Sequence, residues 1–170
     1  MAELWDVFDE CGNTTGRVHE RGKPMCEGEY HLTVYVFIEN DSGEYLISQR
    51  TSNKTFPYMW ECTGGNAVAG DDSLITALKE TYEELGIALE PKNGRMIKRL
   101  SRHCNVCNNC LADVWLFRQN VDISTVTLAP DETCDAKWAS GDEINRMINE
   151  GTFTSWGLFS DIYELLDKAI

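Results

Sequence analysis

The sequence predicts an α+β fold in which a mixed β-sheet packs between helices. Three observations carry that expectation. Two strand-length apolar runs, HLTVYVFI (31–38) and EYLISQR (44–50), are joined by NDSG, a good hairpin turn. An amphipathic pattern over residues 72–85 stops at a glycine, as a helix does. Further strand-like and helix-like runs follow with short links, an order that favours layers of sheet and helix.

Taken along the chain, LWDVF (4–8) reads as a short strand and ECGNTTG (10–16) as the turn after it. After the hairpin, FPYMWECTGG reads as a loop and a short strand running into glycines. In the helix over 72–85, Asp72 or Ser73 caps the start and Gly86 ends it. Its inner face is expected to be Leu74, Leu78, Thr81, Tyr82 and Leu85. RMIKRLS, ADVWLFR and TCDAKWAS read as three more strands. DEINRMINEG begins a second helix after Gly141, and WGLFSDIYELLDKAI a third.

A chain of 170 residues suits one domain, 1–170, and no repeat or proline-rich linker divides it. Its net charge of −13 repels phosphate backbones and anionic lipid, which argues against nucleic-acid and membrane partners. An acidic chain can still handle small phosphorylated molecules when divalent cations mediate the contact. The longest apolar run is strand-sized, and MAELWDVFDE lacks the basic start and apolar core of a signal peptide. Seven cysteines, an odd count, fit reduced thiols in the cytoplasm better than a disulfide framework. A homodimer is compatible with this reading, with the early strand available to pair across its interface.

The chemistry concentrates in KETYEELGI (79–87). Glu80, Glu83 and Glu84 stand at i, i+3 and i+4, on one face of the helix. Two unit charges about 4 Å apart repel by roughly 4 kcal/mol at a surface-like dielectric. A bound dication reverses that sign, and hard divalent ions want such oxygens. Around the glutamates, GNAVAGDDSLITALKETYEELGI (65–87) resembles the Nudix box in spacing throughout. Gly65, Glu80, Glu83, Glu84, Gly86 and Ile87 match it outright. Asp71 replaces the usual glutamate, Lys79 the usual arginine, and Thr81 an aliphatic residue.

The resemblance implies a Nudix fold and hydrolysis of a diphosphate bond in a small substrate, with magnesium or manganese between carboxylates and phosphates. It implies Glu80 and Glu84 as principal metal ligands, with Glu83 and the Gly65 carbonyl assisting. It also implies that Asp71 and Lys79 form the ion pair bracing loop against helix. Lysine lacks the planar fork of arginine, so this brace is expected to be looser. The base that activates water is a glutamate of the box or one from a later loop, where Glu132 and Asp135 are the candidates.

Beyond the box, ELWDVFDECGNTTGRVHERG, GEYHLTVYVFI, SQRTSNKTFPYMW and DAKWAS resemble the Nudix subgroup related to type 1 isopentenyl-diphosphate isomerases. The isomerase cysteine and one histidine fall at Gly64 and Asn66, and a further histidine falls near Pro24. Only His31 is retained, as a former metal position or as a satisfied strand-end histidine. Cys62 lies two residues from the cysteine position, about 6–7 Å along a strand. An isomerase and a catalytically silent ligand-binding domain therefore stand as alternatives to the hydrolase. Cys104, Cys107 and Cys110 beside His103 all crowd one loop, unlike established zinc spacings, and a fourth thiol would have to come from afar, with Cys134 the candidate. Phe56, Tyr58, Met59, Trp60, Phe153, Trp156 and Phe159 are expected chiefly in the core, with substrate stacking the alternative.

Overall fold

The computed structural model describes residues 2–103, 108–154, 159, 162, 163 and 165. Leu4–Phe8 (β1) and Thr14–Glu20 (β2) form an antiparallel hairpin. The main sheet comprises His31–Glu39 (β3), Glu44–Arg50 (β4), Trp60–Glu61 (β5), Thr63–Asn66 (β6), Gly94–Arg102 (β7), Cys110–Arg118 (β8) and Thr133–Ser140 (β9). It is mixed: β3 and β8 run parallel over nine register pairs, and the remaining pairings are antiparallel.

Alternation along β3 sends its side chains to opposite faces. Val34, Val36 and Ile38 join Leu46, Phe117, Ala77 and Leu85 on one face, beneath Ser73–Leu85 (α1). Phe37 joins Tyr45, Ile47, Val114 and Leu116 on the other, beneath Gly141–Asn149 (α2). Phe159 and Ile162, both helical, complete that second layer. The sheet is thus sandwiched between helices, as the sequence predicts. Tyr163 and Leu165 are helical as well, and the rest of the third helix falls outside the described residues.

Two local expectations change. Residues 14–20 are a strand, although TTGRVHE shows no apolar alternation and is almost wholly exposed. Backbone pairing with β1, not burial, makes it one. Tyr82 does not belong to the inner face of α1; it is 62% exposed, while Thr76 and Ala77 are buried with Thr81 and Leu85. The buried stripe runs about 100° per residue from Ala77 through Thr81 and leaves Tyr82 outside it.

One irregularity shapes the molecule. β3 and β4 share the single register pair Glu39↔Tyr45 and then diverge. Beyond that point β3 takes β6 as its partner and β4 takes β5, while β9 lines the other edge of β4 from Glu44 to Arg50. The sheet opens into a wedge whose two walls are β3–β6 and β4–β5.

Candidate active site

Helix α1 lies along one wall of this wedge. Asp72 caps it, its carboxylate accepting from Ile75 N at 2.8 Å, while Ser73 Oγ accepts instead from Trp115 Nε1 at 2.8 Å. Gly86 closes it in the left-handed region at φ 68°. The Gly86 turn is pinned by the Thr127 amide, which donates to Leu85 O at 2.9 Å.

These anchors place the three glutamates differently. Glu83 is exposed. The carboxylate of Glu80 lies against Gly65 of β6, so close that a β-carbon there would sit 2.3 Å from Glu80 Cδ. Only glycine leaves room for that side chain. Glu84 accepts a 2.5 Å hydrogen bond from Thr63 Oγ1. Burial, then the charge of Glu83, pushes the Glu80 pKa up to about 7. Burial likewise pushes Glu84 up to about 7, against the Thr63 hydrogen bond and with Glu61 and Glu80 adding repulsion.

Among the described residues, no three acidic, histidine or cysteine side chains converge closely enough to enclose an ion. The arrangement is an open ledge of hard oxygen donors. Such a ledge suits magnesium, which typically retains waters and takes substrate phosphates beside one or two carboxylates. The raised pKa values of Glu80 and Glu84 come first from burial and then from neighbouring carboxylates, both of which a bound cation would offset.

Asp71 and Lys79 are paired at 2.5 Å, with Lys79 about half exposed. Glu132 is paired with Lys54 from the loop after β4. Asp135 is exposed on β9, its carboxylate accepting from Ala136 N at 2.8 Å. Lys54 also acts on Glu61, Glu80 and Glu84, drawing down the pKa of each. It is a cation beside the acidic site that the sequence pattern does not reveal. So is Arg50, whose Nη1 meets both oxygens of Glu61 at 2.8 and 2.6 Å in a largely buried pair. The register pair Gln49↔Trp60 sets those strands side by side.

Between the wedge walls lies a cleft of about 240 Å³, lined by Thr33, Tyr35, Arg50, Glu61, Gly64 and Gly65 among others. It borders the Glu80 ledge through Gly65. At the isomerase cysteine position there is no space for a side chain: a β-carbon on Gly64 would stand 2.2 Å from Val34 O. Asn66 accepts from Thr33 Oγ1 at 2.7 Å. Cys62 belongs to the apolar cluster with Phe37 and Phe153, and burial pushes its thiol pKa up, away from the reactive thiolate. His31 opens β3 buried, stacked on Trp5 at 4.2 Å, with its pKa held down to about 4 by that burial. It is a packed strand-end residue.

Cys104 and Cys107 lie outside the described residues. Cys110 is half-buried on β8, whereas Cys134 lies on β9 with its thiol against the Arg50 carbonyl at 3.4 Å. β3 and β4 separate the two strands. The aromatics and Met59 divide: Phe153 and Phe159 are core, Met59 and Trp60 half-buried, and Phe56 and Tyr58 exposed at positive φ in the loop after β4. Trp156 is outside the described residues.

A NUDIX domain profile matches residues 29–158. The uncharacterized Nudix hydrolase lmo0368 of Listeria monocytogenes serovar 1/2a is 30% identical over 96% of this chain and 95% of its own length. The isopentenyl-diphosphate Delta-isomerase of Pectobacterium atrosepticum is 29% identical over 88% of this chain and 84% of its own. The crystal structure of DR0079 from Deinococcus radiodurans superposes with a TM-score of 0.72 over 98% of each chain, at 21% identity.

Proposed function

This chain belongs to the Nudix hydrolase family, and on that premise we propose that it hydrolyses the diphosphate bond of a small phosphorylated substrate with magnesium or manganese. The observation that carries this reading is the Glu80–Gly65 contact. A half-buried carboxylate pressed on a bare glycine, with Glu84 close by, makes a ledge of oxygens beside an open cleft.

When bound, the divalent ion would neutralise phosphate oxygens and lower the pKa of a water. Glu80 and Glu84 would hold it, with Glu83 and the Gly65 carbonyl assisting. Thr63 fixes the Glu84 carboxylate through its hydroxyl. Asp71 and Lys79 tie the loop before α1 to the helix. Lys54 is placed to meet the negative charge of the substrate, and doing so would release Glu132 to accept a proton from water. The departures at Asp71 and Lys79 leave the core of the ledge, Glu80, Glu84 and Gly65, untouched.

The test is incubation with magnesium and a panel of nucleotide, sugar and isoprenoid diphosphates, with products identified by mass. Cleaved phosphates are expected from at least one member. Glu84→Gln should lower turnover by roughly 10²-fold or more while leaving the circular dichroism spectrum unchanged. Full activity in that variant, or double-bond migration in isopentenyl diphosphate as the sole conversion, would overturn the reading.

A further inference from the structure

The loop over residues 67–72 runs from β6, which carries Gly65, to α1, which carries Glu80 and Glu84. Ala67 N donates to Leu32 O on β3 at 2.9 Å, and Asp71 N turns back onto Val68 O at 3.0 Å. Ala69 and Gly70, by contrast, are held from outside the main sheet. Ala69 N donates to Leu4 O at 2.7 Å, and Gly70 N donates to Asp6 Oδ2 at 2.8 Å, both acceptors on β1. We propose that Asp6 is a positioning residue for the oxygen ledge, and that the β1–β2 hairpin is a strap across this loop. The metal-binding part of this role rests on the function proposed above.

The hairpin is moored independently of the loop. Trp5 stacks on His31 at 4.2 Å, Val7 is buried, and Phe8 exchanges two backbone bonds with Tyr30 at 2.8 and 3.0 Å. None of these contacts uses the Asp6 side chain. Among the described residues, its carboxylate has Gly70 N as its one hydrogen-bond donor. The hairpin precedes residue 29, where the match to the NUDIX domain begins, so the strap is an addition to that domain.

The loop has need of it. Its other tether is the Asp71–Lys79 pair, in which Lys79 is 53% exposed and offers a flexible ammonium in place of a planar fork. Gly70 sits at φ 92°, with no atom within 4 Å of where a β-carbon would stand. A carboxylate accepting from a backbone amide makes a charge-assisted bond, stronger than a neutral one. Cutting that bond frees Gly70 and loosens the turn that leads into Asp71, so the backbone between Gly65 and α1 gains play. Groups that orient a metal's ligands from behind are typically worth roughly 10–100-fold in metal affinity.

Manganese binding, read from the loss of the free-ion paramagnetic resonance signal, and amide exchange, read by NMR, test this on the full chain with no substrate present. In Asp6→Ala, exchange at Ala69 and Gly70 should rise about tenfold. Manganese should bind that variant roughly tenfold more weakly. Asp6→Val, better suited to a strand, gives the same comparison should the alanine variant fail to fold. Asp6→Asn keeps an oxygen that accepts from Gly70 N and should return both readings to within about threefold of wild type. Asn13→Ala removes a bond to Asp9 at the hairpin tip, away from the loop, and should leave both readings unchanged. Unaltered exchange without the Asp6 carboxylate overturns the strap, and freer exchange with unaltered manganese affinity overturns its role at the ledge. Equal weakening in Asn13→Ala also overturns that role, because the effect would then be one of hairpin stability. A wild-type chain that binds no manganese removes the proposed hydrolysis instead, and the exchange comparison still decides the strap.

Discussion

At position 65 the side chain that is missing matters as much as the glutamate that fills the space. Gly65→Ala would force the Glu80 carboxylate aside, since the new carbon would lie 2.3 Å from it. The obstructing atoms are the far end of a flexible side chain, so the fold should survive with a melting temperature within a few degrees. Activity should not: a displacement of about 1 Å in a catalytic geometry can cost roughly 10²-fold, and steady-state kinetics on the substrate identified by the panel would read that loss. Wild-type kcat/KM in Gly65→Ala would show that Glu80 does not act from this position. His31 makes a separate prediction about stability. Burial against Trp5 holds its pKa at about 4, below the ordinary value of 6.5, so the unfolded chain takes up the proton first. Stability is therefore full above about 6.5 and falls as the pH drops toward 4, by on the order of 3 kcal/mol for this group. Glu80 and Glu84 titrate with the opposite sign over the same range, so the measure is the difference between wild type and His31→Gln in urea unfolding: wild type should lose stability relative to the variant by on the order of 3 kcal/mol between pH 7 and pH 4.5.

Among the elements, the loop after β4 joins the two halves of the site. Lys54 reaches Glu132 before β9, and Thr51 N donates to Glu132 O at 3.2 Å, so loop and strand entry are held together. The Lys54–Glu132 pair is part-exposed, and such pairs contribute little stability. Lys54→Met should shift melting by less than a few degrees yet raise KM severalfold if the lysine meets substrate phosphate as proposed. An unchanged KM would assign the lysine to the ion pair alone. How much was legible in advance follows from where each residue comes from. The glutamates, Gly65, Asp71 and Lys79 lie within 23 consecutive positions; helical periodicity groups the glutamates, and the resemblance to the Nudix box adds Gly65, Asp71 and Lys79. Arg50, Lys54 and Glu61 come from a strand end, a loop and a two-residue strand, and only the pairing of β4 with β5 unites them. β2 was missed for a related reason: its order comes from backbone bonds to β1, which leave no hydrophobic pattern to read.

For the molecule as a whole, the wedge explains why two helices and a mixed sheet make a site at all. A sheet paired along its full length would close the cleft, but β3 and β4 part after one register pair, and β6, against which α1 packs, lies beside β3 in place of β4. The acidic charge gathered there acts on the stability of the entire fold. Glu80 and Glu84 each titrate near 7 when folded, against 4.5 for an ordinary glutamate, so the folded chain holds protons that the unfolded chain has released. These two groups therefore favour folding below about pH 4.5, and that contribution is lost as the pH rises toward 7. A divalent ion binding the same oxygens must displace those protons, and it stabilises only the folded state. The rise in melting temperature on adding magnesium should consequently be small at pH 5.5 and several-fold larger at pH 8. Glu80→Gln and Glu84→Gln should each reduce the increment at pH 8, because each removes one oxygen anion from the ledge. Thermal scans with and without magnesium at the two pH values decide it: an increment independent of pH, or one that persists undiminished in both variants, would place the ion elsewhere on the protein.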